Sequence, residues 1–182
     1  MKLTWLTDIH LNFIDLNTRK KFYKSITNNN TDAILISGDI AEAPSVCSIL
    51  VEMFQYIKTD IYFVLGNHDY YRGDIAGLRK EISNLCKKYT QLHWLPKYKG
   101  TKLTEKVVLV GDDCWADGRY GNYSNSRVML NDSLMIKELY EARICGKYQI
   151  LDKMQKLSDS DAERLKKNLV SSIGFVRQGL ES

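Results

Sequence analysis

The sequence predicts an α/β fold, a mainly parallel sheet flanked by helices, in one domain spanning residues 1–182. Three observations predict it. Short apolar runs recur at residues 2–7, Ala33–Ser37 and 61–65, and the second is almost wholly aliphatic, as a strand covered on both faces should be. Longer segments with apolar residues at helical spacing alternate with them, the βαβ pattern of a parallel sheet. Each run closes on polar residues, where parallel sheets place their ligand sites.

In order, the first strand ends at Asp8-Ile9-His10. A polar loop then leads to a helix over Leu16–Thr27, with Leu16, Phe22, Tyr23 and Ile26 apolar and Asn28-Asn29-Asn30 to stop it. After the second strand a helix is expected over 44–58. Pro44 suits its first turn, and Val46, Ile49, Leu50, Met53, Phe54 and Ile57 form its apolar face. The third strand is followed by Gly66-Asn67-His68-Asp69 and a helix over 75–89, with Leu78, Ile82, Leu85 and Cys86 inward. Residues 92–96 read as a connecting segment and 106–110 as the fourth strand. Residues 112–125, rich in Gly, Asp, Asn and aromatics, read as a long loop in which Asp112 and Asp113 are expected to be solvated. Two helices should close the chain, over 133–144 and 161–180. The last has Ser160 and Glu163 as a capping box and Ala162, Leu165, Leu169, Ile173 and Val176 as its apolar face.

Composition excludes several classes. With 44% hydrophobic and 26% charged residues the chain is neither disordered nor membrane-spanning. Asp8 and His10 interrupt the only stretch that could form a signal-peptide core, so a cytoplasmic protein is expected. Cys47, Cys86, Cys114 and Cys145 show no Cys-x-x-Cys spacing and are expected to be reduced thiols, not a zinc ribbon or a disulfide framework. The net charge of +4, with Lys97, Lys99, Lys102 and Lys106 clustered, gives little support to a nucleic-acid-binding module.

The polar strand ends carry the chemistry. On an extended chain Asp8 and His10 point the same way and can grip one ion. Asp39 has two oxygens with which to bridge two metals, Asn67 offers an amide oxygen, and His68 an imidazole that can stay unligated as a proton donor. Such mixed ligation suits manganese, iron or zinc, and a pair of these ions can act on a phosphoryl group. His93, between Leu92 and Trp94, reads as a packed loop residue. Tyr70, Tyr71 and Arg72 read equally as substrate contacts or as packing at the site entrance.

The order Asp8-x-His10, Gly38-Asp39, Gly66-Asn67-His68-Asp69 resembles the N-terminal half of the calcineurin-like metallophosphoesterase superfamily. Asp39-Ile40-Ala41-Glu42 and Asp69-Tyr70-Tyr71-Arg72-Gly73 resemble its bacterial branch. The resemblance implies a metal-dependent hydrolase acting on a phosphomonoester or phosphodiester. In it Asp8, His10 and Asp39 bind a first metal, Asp39 and Asn67 a second, His68 protonates the leaving group and Asp69 orients the His68 ring. Asp117-Gly118-Arg119-Tyr120-Gly121 fits the same branch and would bring Arg119 to the substrate. The family's later motifs, a lone histidine and Gly-His-x-His, have no counterpart after residue 101, because the histidines are His10, His68 and His93. The resemblance therefore implies an incomplete form of the family's two-sheet sandwich, finished by C-terminal helices. It leaves open a truncated or degenerate protein with one occupied metal site and weak or no catalysis, serving as a metal- or partner-binding module. A sheet face carrying Trp5, Ile34, Ile36, Phe63 and Val108 would then lack its cover and promote self-association or the docking of a partner chain.

Overall fold

The computed structural model describes residues 1–28 and 30–178, with side chains up to residue 173. Four strands, β1 (Leu3–Leu6), β2 (Ala33–Ser37), β3 (Asp60–Val64) and β4 (Leu92–Trp94), form one parallel sheet in the order of the chain. They are joined by α1 (Leu16–Thr27), α2 (Ala43–Tyr56) and α3 (Ile75–Lys88). Caps start two of these helices: Asp15 accepts from the N–H groups of Asn17 and Thr18, and Asp74 from that of Gly77. Helix α1 ends at Thr27 as expected, with Asn28 as its C-cap; Asn29 lies outside the described residues.

Strand order has a consequence for the faces. Right-handed crossovers that all step the same way deliver all their helices to one side of the sheet. That side carries Ile34, Ile36, Ile61, Phe63, Leu92 and Trp94, packed in one cluster with the inward residues of α1, α2 and α3. The opposite face carries Leu3, Trp5, Ala33, Leu35, Tyr62 and Val64. Its cover is a small antiparallel hairpin, β5 (Thr101–Thr104) with β6 (Val107–Leu109), which sets Leu103 and Leu109 against Leu35, Tyr62 and Val64. The hairpin stops short of the β1 edge, where Trp5 is 72% exposed.

Several expectations change here. Residues 92–94 are the fourth strand of the sheet, not a connection, and 107–109 belong to the hairpin. Both are three-residue strands, too short to show a period of their own. Trp5 lies on the opposite face from Ile34, Ile36 and Phe63, because the register pairs it with Leu35. His93 sits on β4, not in a loop; its ring stacks on Tyr62 at 4.6 Å and its Nε2 is 2.9 Å from Asp60. The helix expected over 133–144 is two, α4 (Asp132–Met135) and α5 (Lys137–Cys145). Ile136 between them is extended and fully buried because the backbone there bonds across to the loop after β3: Arg72 N–H donates to Met135 and Lys137 N–H to Gly73.

The last helix departs most. Helix α6 runs unbroken over Lys147–Gln178, so Ser160 caps nothing. Met154 in its first half joins the core, but over the stretch expected to be amphipathic the buried positions are Asp161, Asn168 and Ser172, whereas the apolar residues Leu169 and Ile173 face outward at 47% and 55% exposure. Val176 and Leu180, the remainder of the expected apolar face and end, lie outside the described side chains and residues. Charge dictates the orientation. Arg79 of α3 donates to Asp161 at 2.8 Å, and Arg164 donates to both Asp161 and Asp112. Asp112 and Asp113, expected in solvent, are buried. Asp113 accepts from Leu65 N–H, Tyr70 O–H and Trp94 Nε1–H, with Arg79 3.4 Å away. Burial raises the Asp113 carboxyl to about 6 despite the guanidinium and these donors.

The four cysteines are unpaired, and among the described residues no helix is long and apolar enough to cross a membrane.

Candidate metal and phosphoester site

The segments after β1, β2 and β3 converge at the carboxyl ends of their strands. Asp8 N–H donates to Gly38, His10 N–H to Asp39 and Leu11 N–H to Ile40, which laces the first loop to the second. Asp8, His10 and Asp39 all adopt positive φ, at 51°, 40° and 54°. For non-glycine residues this backbone costs on the order of 1–2 kcal/mol each, so three of them at two neighbouring strand ends mark a locally strained site. The left-handed backbone also replaces the extended geometry that the alternation argument for Asp8 and His10 assumes.

Two glycines permit the close approach. A Cβ on Gly38 would sit 2.7 Å from the backbone nitrogen of Gly66, and one on Gly66 would sit 2.0 Å from Asp39 Oδ1. No side chain fits at either position while the loops keep this contact.

Within this frame His10, Asp39 and His68 bring one ligand atom each to within 4.8 Å of one another. Asp39 is buried at their centre, and its Oδ1 accepts the His68 backbone N–H at 3.1 Å. Burial raises its carboxyl, opposed by that N–H and by the neighbouring imidazoles. The His68 ring stands edge-on to His10 at 4.8 Å and stacks on Tyr71 at 4.3 Å. One carboxylate and two imidazoles form a donor set that suits zinc, iron or manganese. Small side-chain rotations bring such atoms to the ~2.0–2.2 Å of nitrogen and oxygen ligands, so the residues fit a divalent ion.

The other expected residues separate. Asp8, exposed, is not in this triad; its carboxylate takes the Thr7 hydroxyl. Asn67 turns its amide N–H₂ to Asp132 at 2.8 Å and to the Tyr71 hydroxyl at 3.4 Å, and Tyr71 itself donates to Asp132 at 2.7 Å. Asp69 makes no hydrogen bond to the His68 ring. Fully buried, it accepts four backbone N–H groups, from Asp39, Ile40, Ala41 and Gly66, at 2.8–2.9 Å. Burial raises this carboxyl and the donors pull it back; a carboxyl with four donors and no acceptor is satisfied as the anion. Arg119 is tied to Asp117 at 2.6 Å and to Asp159 at 2.8 Å, and it does not line the cleft around His68. Tyr70 is core, and Arg72 pairs with Glu42 at 3.3 Å.

The family model for calcineurin-like phosphoesterases matches residues 1–145, most of the chain and all of this site. The chain belongs to the calcineurin-like phosphoesterase family. No curated protein and no solved structure shows a significant match to it. Membership accounts for the four-stranded parallel sheet flanked by helices and agrees with a candidate metal-ligand cluster at its carboxyl edge. In this family member the cleft beside the triad, of about 400 Å³, is lined by Asn67, His68, Tyr71, Trp115, Leu130 and Asp132. Asp132 was not legible as a site residue. It lies 65 positions from Asn67 in an unpatterned stretch and reaches the cleft because Ile136 docks on Gly73.

Proposed function

We propose that the chain hydrolyses phosphomonoesters or phosphodiesters with the help of a divalent ion, manganese, iron or zinc, held by Asp39 and His10. The observation that carries this reading is that His10 and Asp39 bring ligand atoms within 4.8 Å of each other with the His68 imidazole equally close beside them, in a member of this family. An ion held there supplies positive charge that lowers the pKa of water and neutralises the phosphoryl oxygens. Asp8 and Asn67 complete the proposed ligand set, with the second oxygen of Asp39 and the amide of Asn67 serving a second ion where one binds. His68, held by its stack on Tyr71, gives its proton to the leaving-group oxygen. Asp69 serves this chemistry by fixing the backbone on which Asp39 stands. Cytoplasmic residence is supported by the unpaired cysteines.

The test is metal content together with hydrolysis of phenyl and 4-nitrophenyl phosphate. Asp39→Asn loses both metal and activity. His68→Ala keeps its metal and loses about 100-fold or more on phenyl phosphate, and less on the nitrophenyl ester, whose leaving group needs little protonation. Full activity in either variant refutes the reading, and metal loss in His68→Ala makes His68 a ligand. A second reading, a scaffold holding one ion with little catalysis, is favoured by the histidine inventory: His93 is engaged with Asp60 and Tyr62 away from the triad. Two tightly bound ions per chain refute it.

A further inference from the structure

The stretch between β6 and α4 borders, with α5 and α6, a half-open cavity of about 310 Å³. Its walls are Val128, Met129, Leu130, Leu139, Ile150 and Met154. Met129, Leu130 and Asp132 line both this cavity and the cleft that contains His68, so the two are adjoining compartments.

The charges around it are unbalanced. Lys147 is engaged in shaping the wall: its ammonium donates to the Ser124 and Ser126 carbonyls at 2.8 and 2.9 Å and lies over the Tyr123 ring. Asp132, the carboxylate at the boundary, already accepts from Asn67 and Tyr71. The side chains of Arg143, partly buried, and Arg127, exposed, form no hydrogen bond or ion pair with another described residue. A guanidinium part-removed from water without a partner is poised for a planar anion, which it binds by two parallel N–H donors.

We propose that this cavity receives the organic group of the phosphoester, and that this group is a single ring or short apolar chain bearing a second anion, carboxylate or phosphate, which Arg143 binds. The inference rests on the hydrolase reading for the word phosphoester. The apolar walls supply the driving force for the ring or chain. The volume, at the low end of small-molecule sites, matches a single ring or a short chain.

The experiment has a binding arm and a catalytic arm. Calorimetry with manganese present compares phenylphosphonate, 4-carboxyphenylphosphonate and 1,4-phenylenebisphosphonate on the wild type and on Arg143→Gln, with Arg143→Lys as a control for fold and charge. The wild type binds one of the two probes that carry a second anionic group about ten- to a hundredfold tighter than phenylphosphonate, and which one identifies the second anion. Arg143→Gln abolishes that preference, and Arg143→Lys retains part of it. In the catalytic arm the ratio of kcat/KM for 4-carboxyphenyl phosphate to that for phenyl phosphate falls by a similar factor in Arg143→Gln. No preference in the wild type, or a preference that survives Arg143→Gln, overturns the cavity assignment even where hydrolysis is observed. An Arg143-dependent preference without hydrolysis supports the cavity and overturns the hydrolase reading.

Discussion

Replacing Asp69 by Asn separates two roles that a carboxylate beside a histidine can have. The structure gives it four backbone N–H donors, two on each oxygen: Ile40 and Ala41 on Oδ1, Asp39 and Gly66 on Oδ2. An amide keeps one oxygen and turns an N–H₂ toward the other pair, so two buried donors lose their acceptor and meet a donor instead. Each orphaned buried N–H costs roughly 1–3 kcal/mol, which sums to roughly 2–6 kcal/mol, a large part of the ~5–15 kcal/mol that holds an ordinary domain together. Urea unfolding followed by tryptophan fluorescence should show that loss, and calorimetry should show weaker manganese binding because the Asp39 loop is no longer fixed. A carboxylate whose task is to orient the His68 ring gives the opposite pattern, lost turnover at unchanged stability. An Asp69→Asn protein within about 0.5 kcal/mol of wild type would show that the backbone N–H groups are not its purpose.

Two further outcomes concern the polar seam under α6. Asp161→Ala leaves Arg79 and Arg164 short of a buried partner and should cost about 3–5 kcal/mol, with amide exchange rising first in α6 because Asp161 ties that helix to α3. Asp113 should show a pH signature. Its pKa is raised to about 6 in the fold from the usual 3.8, so between those values the folded state binds the extra proton and stability is lost as pH rises. The cost of Asp113→Asn, read by urea unfolding, should therefore be smaller at pH 6.5 than at pH 4.5 by about 2 kcal/mol; a pH-independent cost would refute the assignment.

Much of the first 90 residues was legible because each segment declares itself locally. The aliphatic runs of β2 and β3, the helical spacing in α1 to α3 and the polar strand ends are properties of neighbouring residues, so Asp8, His10, Asp39, Asn67 and His68 could be picked out together. The failures come from distant partners. The pattern over 161–180 turns Leu169 and Ile173 inward, since apolar residues at helical spacing usually face a core. The buried stripe there is polar because Arg79, on an element 82 positions away, and Arg164 pair with Asp161. Asp112 and Asp113 read as loop carboxylates for the same reason: the groups that satisfy them lie 19 to 52 positions away.

The sequence by itself determined the α/β class, the strand-end positions of the metal-type residues and the family, because these depend on local pattern and on residue order. Tertiary structure alone decided which of those residues meet. It drew His68 into a triad with His10 and Asp39, set Asp69 to hold backbone instead of imidazole, and tied Arg119 to Asp159 instead of the cleft. The physical reason is that a side chain's role is set by which partners lie within hydrogen-bonding reach, and at this site those partners come from separate strands brought together by the stacking of parallel crossovers.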